Sequence, residues 1–352
     1  MIKPNFKTTI WLLFMCFIGN TSVFSQDISS LEIATQEKTK FDTSYIKSYY
    51  DDLVIGLSLP KKNVDFSLSD VKNEQELFYQ VNTKTSLGFK ASYKWLGISL
   101  GFGIPQTESR TLKYGETEGL DIQINTYLRK FVIDGYFQYY KGFYLENMDT
   151  YFQNFENLDI SYYQRPDLTY SNVGIAVRYV KNHRKFSYKA SYDYNEIQKK
   201  RAGSLLIGGY AFISGAAADS LVVPHFATEN YSEKGLFSNI VAINVGFSVG
   251  YIYTFFFWKK YFLTLGFVPV FGLQSYSAYG PEGNLVDNKN GLGVSTVGRA
   301  SLGYNKKRFY AAISGVTGSN NLFNKEQTAI NFGYGNVRFT VGYRFGLKKK
   351  LF

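Results

Sequence analysis

Side chains that could carry out chemistry are scarce in this sequence. It contains two histidines, His183 and His225. A hydrolase needs a nucleophile activated by a nearby base, and neither histidine is accompanied by a G-x-S-x-G sequence or a comparable nucleophile context. His183 lies in the basic run KNHRK, where a solvated side chain is the commoner role, and two isolated histidines form no recognisable metal-ligand set. We therefore expect no enzyme activity, no cofactor and no metal site.

The loop predicted at residues 141–167 is both acidic and aromatic. Its carboxylates could bind calcium, but their spacing does not match a D-x-[DN]-x-[DN]-G loop, so a solvated acidic loop is the favoured interpretation. Its aromatic side chains indicate that the loop packs on something, either the interior of the protein or a partner. The acidic residues are Glu146, Asp149, Glu156, Asp159 and Asp167, and the aromatic residues are Tyr144, Tyr151, Phe152, Phe155, Tyr162 and Tyr163.

The N-terminus has the pattern of a secretory signal peptide. Lys3 and Lys7 precede an apolar stretch, IWLLFMCFI at residues 10–18, which is far shorter than the ~20 residues that span a bilayer. Small residues near Ser25 predict cleavage before Gln26. Cys16 is the only cysteine and lies inside the stretch, without the small preceding residues of a lipoprotein site. The mature chain is therefore expected to contain no disulfide and no thiolate.

The composition fits neither a soluble globule nor a helical membrane protein. Charged residues make up only 19% of the 352 residues, yet the hydrophobic share is a moderate 45%. The unusual feature is an aromatic content of 18%, with 30 Tyr and 31 Phe beside 32 Gly. Aromatic side chains collect at the two interfaces of transmembrane β-barrels, and glycine fits crowded or bent positions in strands.

Two-residue alternation recurs from about residue 51 and predicts antiparallel strands. In the last segment, 336–345, Val337, Phe339 and Val341 lie on one face and Arg338 and Thr340 on the other. One face would meet lipid and the other a polar interior, and strand lengths near 10 residues favour a membrane barrel over a soluble sandwich. The predicted strands are 84–93, 96–104, 119–128, 131–140, 168–180, 185–194, 201–214, 237–256, 261–274, 291–304, 308–318 and 335–346.

Parity refines the strand count and divides the chain. A barrel with both termini in the periplasm needs an even number of strands, which requires one more strand within 51–69 and another within about 218–232. We therefore predict an all-β, transmembrane antiparallel barrel of about 14 strands, with 12 or 16 as alternatives. The expected divisions are a signal peptide at 1–25, a periplasmic segment at 26–50 and an outer-membrane barrel at 51–352.

The charges are distributed unequally between short turns and long loops. The short turns and the C-terminal Lys348–Lys350 hold 14 basic and no acidic residues, whereas the five long loops hold 14 acidic and 7 basic residues. Basic turns can contact lipid phosphates at one rim, which explains the net charge of +11 without nucleic acid. Short turns belong on the periplasmic side, so the long loops are expected outside the cell.

Several stretches resemble an uncharacterised family of outer-membrane β-barrels from Bacteroidetes, known only as a domain of unknown function (series number 4421). The resemblance covers nearly all of the mature chain. It implies an outer-membrane location and nothing further about activity, ligands or catalytic residues. The stretches are FDTSYIKSY at 41–49, NTYLRKFVIDGYFQYYKGFY at 125–144, QKKRAGSLLIGGY at 198–210, ADSLVVP at 218–224 and GYIYTF at 250–255.

The inward faces of the predicted strands carry more bases than acids, which favours a pore or transporter for small solutes with a modest anion preference. A structural or assembly barrel that displays loops to partners is the alternative, and a lipid-acting enzyme is a second alternative. An open, charged lumen would favour passage and a densely packed one display. Expected partners are outer-membrane lipids and, through the C-terminal strand, the barrel-assembly machinery. The candidate lumen-lining residues are Lys84, Lys90, Asp121, Asp134, Arg178, Lys189, Asp193, Arg299, Arg338 and Arg344.

Overall fold

A computed structural model describes residues 41–352 except 94–95, 153–160, 259, 324–327 and 348–352, with backbone only for 96–100 and 323. The predicted signal peptide lies outside the described residues. The strands are β1 Ile46–Ser48, β2 Asp52–Asp70, β3 Gln75–Gln80, β4 Ser86–Tyr93, β5 Leu96–Gly103, β6 Glu118–Tyr127, β7 Phe131–Leu145, β8 Gln164–Val180, β9 Glu196–Gln198, β10 Ala202–Ala217, β11 Asn239–Phe257, β12 Tyr261–Tyr279, β13 Leu285–Asn305, β14 Phe309–Phe323 and β15 Thr328–Gly346. The α-helices are α1 Glu108–Tyr114 and α2 Lys189–Tyr192, and 3₁₀ turns cover Met148–Thr150, His225–Asn230 and Glu233–Gly235.

Ten strands hydrogen-bond in a closed antiparallel ring. The ring runs from β15 through β14, β13, β12, β11, β10, β8, β7 and β3 to β2, which pairs with β15 over the length of both strands. Three more strands belong to the same sheet: β4 pairs with β2, β5 with β4, and β6 with β7. They widen the half of the wall near the start of β2. The short strands β1 and β9 form a separate two-stranded sheet.

The outer surface of the wall is an apolar band. On β11, Ile243, Val245 and Phe247 are exposed, whereas the intervening Asn244 and Ser248 are buried. The same alternation continues to Phe255; at about 3.3 Å per residue and a tilt of about 40°, this stretch spans ~30 Å. That height matches the hydrocarbon core of a bilayer, and the pairing of β15 with β2 closes the ring between its first and last long strands.

An aromatic belt surrounds one end of the barrel. Phe257, Trp258 and Tyr261 contact one another, and Tyr261 also contacts Tyr304. This is the short-turn end, where residues 128–130, 258–260 and 306–308 connect strands and where β2 begins and β15 ends. The opposite end carries the longer connections and is the long-loop end. Amphipathic rings beside basic turns are typical of a membrane–water interface.

Two predicted strands are wrong. Residues 181–201 form turns, α2 and β9 rather than a strand at 185–194. Residues 218–238 form 3₁₀ turns rather than a strand near 218–232. The alternation at 185–194 arises because apolar and polar side chains are both enclosed by neighbouring elements, as the burial of Phe186 and Ser187 shows. The strand near 218–232 rests on parity alone, and Val222 there is buried without belonging to a sheet. Consequently the structure does not support fourteen wall strands.

These two connections close the barrel from within. We call residues 181–201, between β8 and β10, the inner plug; they lie at the short-turn end. Residues 218–238, between β10 and β11, are the outer cap at the long-loop end. β1, which falls in the segment predicted as a lead-in, pairs with β9 of the inner plug. None of the helices in the described residues is long and apolar enough to cross a membrane.

Candidate functional site in the barrel lumen

Polar hydrogen bonds attach the inner plug to the wall. Ser191 of α2 shares a hydrogen bond of 2.7 Å with the Thr264 hydroxyl of β12, and the Ser301 hydroxyl of β13 donates to the Ser191 carbonyl at 2.8 Å. The Asn305 amide donates to the carbonyls of Ala190 at 2.9 Å and Glu196 at 3.1 Å. Residues from two wall strands thus hold the backbone of the plug in one position.

A buried arginine and two tyrosines add to this attachment. The guanidinium of Arg344, on β15, is fully buried and donates through Nε to the Tyr194 carbonyl at 2.8 Å. It also lies over the Tyr310 ring, and the rings of Tyr194 and Tyr310 stack with centroids 4.7 Å apart. Arg344 thus donates hydrogen bonds to backbone carbonyls, one of them in the inner plug, and not to a carboxylate. We infer that its guanidinium helps to hold the plug in place.

One ion pair joins the inner plug to β4. Lys90 donates to the carboxylate and to the backbone carbonyl of Asp193. Burial would raise the pKa of Asp193, but the charge and hydrogen bond of Lys90 outweigh it, so this pKa is below its usual value. Asp193 is therefore a carboxylate at neutral pH, and its charge is balanced within the lumen.

A salt bridge crosses the centre of the lumen. Asp134 on β7 accepts hydrogen bonds from Arg178 on β8 at 2.8 Å and from Arg299 on β13 at 2.5 Å. β7 and β13 are separated by four strands in the ring, so the Arg299 contact must span the interior. All three side chains are almost fully buried. Side chains from opposite walls therefore meet within the lumen at this level.

Closely packed aromatic rings fill more of the central lumen. Tyr136 of β7 reaches Tyr334 of β15 across the interior, with ring centroids 5.4 Å apart. A Cβ atom added to Gly174 would lie 1.9 Å from the Phe212 ring, so only glycine leaves room for that ring. The rings of Tyr136, Phe212 and Tyr334 thus occupy part of the central lumen.

A polar cavity lies between β6, β7, β14 and β15. About 50 Å³ of it is open to water-sized molecules, enough for a few waters. Arg338 of β15 lines it, and the Nε atom of Arg338 is buried without a hydrogen-bond partner. The other lining residues are Gln123, Asn125, Tyr127, Tyr136, Tyr192, Ser314, Gly315, Val316, Tyr334 and Asn336.

An apolar core seals the long-loop end. Val222 of the outer cap and Phe332 of β15 are fully buried, and Tyr170 of β8 packs on Phe332 from across the barrel with ring centroids 5.6 Å apart. The apolar side chains that join them in one buried cluster include Phe66, Leu68, Leu77, Leu168, Val223, Phe237, Ile240, Leu322 and Ile330. This part of the interior resembles the core of a soluble protein and excludes water.

Arg165 positions the outer cap over that core. Its guanidinium pairs with both oxygens of Asp167 at 2.9 Å and donates to the carbonyls of Leu221 and Val222 at 2.9 and 3.1 Å. The Tyr79 hydroxyl donates to the same Val222 carbonyl at 2.7 Å. A buried arginine thus fixes the path of the cap backbone, as Arg344 does for the plug.

Exposed aromatic residues lie on the surface of this end. Phe226 of the outer cap contacts Tyr151, Phe152 and Tyr163 of the loop after β7, with ring centroids 5.3 to 5.7 Å apart. Phe152 and Phe226 remain 41% and 40% exposed. Tyr151 and Tyr163 of the acidic loop therefore pack on the outer cap, as the sequence predicted for the aromatic residues of this loop. Residues 153–160 of the loop lie outside the described part.

The structure places the predicted lumen residues in three settings. Asp134, Arg178, Arg299, Arg338 and Arg344 are on wall strands and face inward. Lys90 also faces inward, and Asp121 of β6 pairs with Lys62 at 3.0 Å. The assignment of Lys189 and Asp193 to a wall strand is wrong, because both belong to the inner plug. Lys84 is an exposed residue that precedes β4, since that strand begins two residues later than predicted.

Two important residues escaped the sequence analysis. Lys62 lies on the same face of β2 as Ser58 and Val64, so extending the alternation of that strand would have found it. Asn305 carried no signal: it is the last residue of β13, and its role depends on a plug that is distant in sequence. Metal-ligand clusters of three or more His, Cys, Asp or Glu are absent from the described residues.

The two histidines lie at opposite ends of the barrel. His183 is in the turn that begins the inner plug, whereas His225 opens the 3₁₀ turn of the outer cap. Burial, together with the nearby Lys130, Arg184 and Arg129, lowers the pKa of His183. His183 is thus biased toward the neutral form within a basic rim.

A closed antiparallel ring with an apolar outer band, an aromatic belt and a polar membrane-level interior defines a transmembrane β-barrel. The model of the family described as "Domain of unknown function (DUF4421)" matches residues 40–345, and the chain belongs to that family. A search of curated proteins finds no match.

Solved structures similar to this chain are outer-membrane barrels. The outer membrane protease OmpT from Escherichia coli is 9% identical, with 85% of this chain and 98% of that chain covered and a TM-score of 0.38. The outer membrane protein OprG from Pseudomonas aeruginosa is 8% identical, with 86% and 100% covered and a TM-score of 0.22. The outer membrane channel DcaP of Acinetobacter baumannii is 11% identical, with 87% and 99% covered and a TM-score of 0.23. Likenesses this low carry no argument about function.

Proposed function

We propose that this protein is a structural barrel of the outer membrane that holds an ordered binding surface at its long-loop, extracellular end. The observation that carries the proposal is the closure of the lumen: a polar plug fills one end, a cross-lumen salt bridge the centre and an apolar core the other end. The proposal assigns no catalysis, and the barrel needs no cofactor for it.

The outer surface has the features of a protein-binding patch. Phe152 and Phe226 are exposed aromatic residues on a cap that Arg165 and Tyr79 fix from below. Exposed aromatic side chains on a rigid support contribute strongly to protein binding. The long loops contain twice as many acidic as basic residues. The expected partner is therefore a protein with basic side chains around an apolar site.

The pairing of charges in the lumen gives little support to an open, anion-selective pore. Asp134 neutralises one of its two arginines, and Lys62 and Lys90 each pair with an aspartate. Ion preference needs a water-filled path lined by uncompensated charge. Conduction along the barrel axis would require the apolar core under the outer cap to separate.

A second candidate is gated passage of an amphiphile through the side of the barrel. In the described sheet β5 and β6 are not hydrogen-bonded to each other, although they lie in the same half of the wall. The polar cavity lies beside β6 and is also lined by Tyr192 of the inner plug, which hydrogen bonds attach to the wall. A route from the membrane through the cavity to the short-turn end would bypass the apolar seal.

Conductance separates the closed barrel from an open pore. Purified protein whose folding is verified by heat-modifiable migration should give no channel steps in planar bilayers. The plug-loosening variant Asn305→Ala should also be silent, because the apolar seal remains. Regular steps from folded wild-type protein would contradict the proposal.

A photo-crosslinking amino acid placed at Phe226 tests the binding surface in cells. We expect one discrete crosslinked product from this position, and its yield should fall as salt is raised. The control is the same amino acid at Leu285, an exposed residue of β13 at the same end of the barrel, which should give no product. Equal patterns at both positions, or protection of Phe226 from reagents added outside intact cells, would argue against an extracellular binding surface.

Extraction of a fluorescent lysophospholipid from proteoliposomes into albumin tests the second candidate. The second candidate would be favoured over the structural role if the protein makes extraction faster than in protein-free liposomes. Asn305→Ala should then raise the extraction rate further, and Asn288→Ala should leave it unchanged. Equal rates with and without protein would remove it.

A further inference from the structure

Arg338 differs from the other inward-facing bases of the wall. Arg178 and Arg299 share Asp134, Lys62 pairs with Asp121, Lys90 pairs with Asp193, and Arg344 donates to backbone carbonyls. The Arg338 side chain, by contrast, forms neither a hydrogen bond nor an ion pair with the rest of the described chain, and its Nε atom is buried. A guanidinium with few partners in a confined space is costly unless a counter-charge or water satisfies it.

The cavity around Arg338 is lined for an anion. None of its lining residues is acidic, so the guanidinium has no competing carboxylate there. The amides of Gln123 and Asn125 and the hydroxyl of Ser314 supply further hydrogen-bonding groups. The hydroxyl of Tyr192 is also buried without a partner. A planar guanidinium presents parallel donors that match a carboxylate or a phosphate.

The remaining lining is aromatic and suits a short carbon skeleton. Tyr127, Tyr136 and Tyr334 form walls of the cavity, and Tyr127 stacks on Tyr188 of the inner plug with ring centroids 5.4 Å apart. These rings hold the cavity in shape from both the wall and the plug. An apolar portion of a ligand would lie against them while its charged group reaches Arg338.

The cavity is also close to a place where the wall is incomplete. Asn125 lines the cavity and is exposed, and it belongs to β6, which in the described sheet pairs with β7 on one edge and with no strand on the other. The outer face of β6 carries Leu120, Ile122 and Ile124, which are exposed toward lipid. An anion could therefore arrive as a small solute or as the headgroup of an amphiphile whose chain remains along β6.

We propose that the cavity is a binding site for a carboxylate or phosphate group, with Arg338 as the charged ligand-binding residue. The amides of β6 and the hydroxyls of Ser314 and Tyr192 orient the bound group, and the tyrosine walls contact the adjoining carbon atoms. This site is independent of the outer surface, so it stands or falls separately from the structural role proposed above.

Calorimetric titration of full-length mature protein in nanodiscs tests the site with four probes: inorganic phosphate, acetate, dodecanoate and the neutral 1-dodecanol. Binding of phosphate or acetate would identify a free solute as the source of the anion. Binding of dodecanoate without these two, and without dodecanol, would identify an amphiphile. In either case Arg338→Gln should weaken binding at least tenfold, and higher ionic strength should weaken it further.

Two variants keep this experiment decisive. Arg338→Lys retains the charge but not the planar donors, so we expect intermediate affinity from a folded barrel. Arg201→Gln removes an exposed arginine outside the cavity and should leave affinity within twofold. The proposal is overturned if no probe binds, if dodecanol binds as well as dodecanoate, or if Arg338→Gln binds as tightly as wild type.

Discussion

The two ends of this barrel are closed by different physical means. At the long-loop end, Val222 and Phe332 belong to a continuous apolar core, and water is excluded. At the short-turn end, Phe186 and Tyr188 of the inner plug join the same buried cluster, but Asn305, Ser301 and Thr264 also hold the plug through hydrogen bonds. Apolar packing is cohesive and tolerant of small shifts, whereas hydrogen bonds require one register and can exchange with water. The outer end is therefore suited to permanent support, and the inner end to local opening.

This difference also explains where the arginines are placed. Arg165 and Arg344 are both buried and both donate to backbone carbonyls of the segment that closes their end. Arg165 has Asp167 as a counter-charge, whereas Arg344 relies on carbonyls and on the rings of Tyr49 and Tyr310. The two ends share a means of positioning a loop but differ in what lies beneath it.

Removal of residues 336–352 should have the largest effect, because both ends depend on a closed ring. β15 pairs with β14 and with β2, so the deletion opens one edge of each of these strands in the half of the barrel near the short turns. Open edges are not tolerated in lipid. We expect loss of insertion, measured as heat-modifiable protein in the outer-membrane fraction. Normal levels of folded protein would show that the ring does not need this strand.

Phe332→Ala should test the apolar seal. Removing a fully buried phenylalanine leaves a cavity and costs about 3–5 kcal/mol of unfolding free energy. The matched variant Phe152→Ala, at a half-exposed position of the same end, should cost about 1 kcal/mol or less. Urea unfolding in detergent micelles measures both. Equal losses would mean that the outer end is not held by a core.

Asn305→Ala should loosen the inner plug alone. It removes donors to the Ala190 and Glu196 carbonyls, at a cost of about 1–3 kcal/mol. Hydrogen exchange of the plug amides should then accelerate by about 5- to 150-fold, while amides of the outer cap are unchanged. Asn288→Ala, at an exposed position of the same strand, serves as the control. Acceleration at both ends would indicate that the ends are coupled.

The smallest expected effect is a loosening of the plug in acid. The pKa of Asp193 is lowered from 3.8, so its pairing with Lys90 contributes fully above that pH and is lost as pH falls through the lower, folded-state value. The chain beyond Cys16 has no other cysteine, so Lys189→Cys accepts a single spin label. Label mobility should rise in this acid range, and Asp193→Asn should show the raised mobility already at neutral pH. Mobility that is independent of pH in both proteins would assign the pair no role in closure.

Alternation along strands such as β11 and β15 determined the barrel class from the sequence, because side chains on a lipid-facing wall must alternate between apolar and polar. The same rule was wrong at 185–194, where Phe186 and Tyr188 alternate with polar residues but lie within the lumen. Enclosure on all sides buries both kinds of side chain, so alternation there no longer reports a sheet.

Local sequence determined which charged residues of the wall face inward, such as Asp134, Arg178 and Arg299. Only the tertiary structure decided that Asp134 is shared between the two arginines and that Arg338 has no such partner. Pairing across a lumen depends on which strands lie opposite each other and on the loops that fill the space between them. Those are long-range properties of the closed ring, and no stretch of adjacent residues encodes them alone.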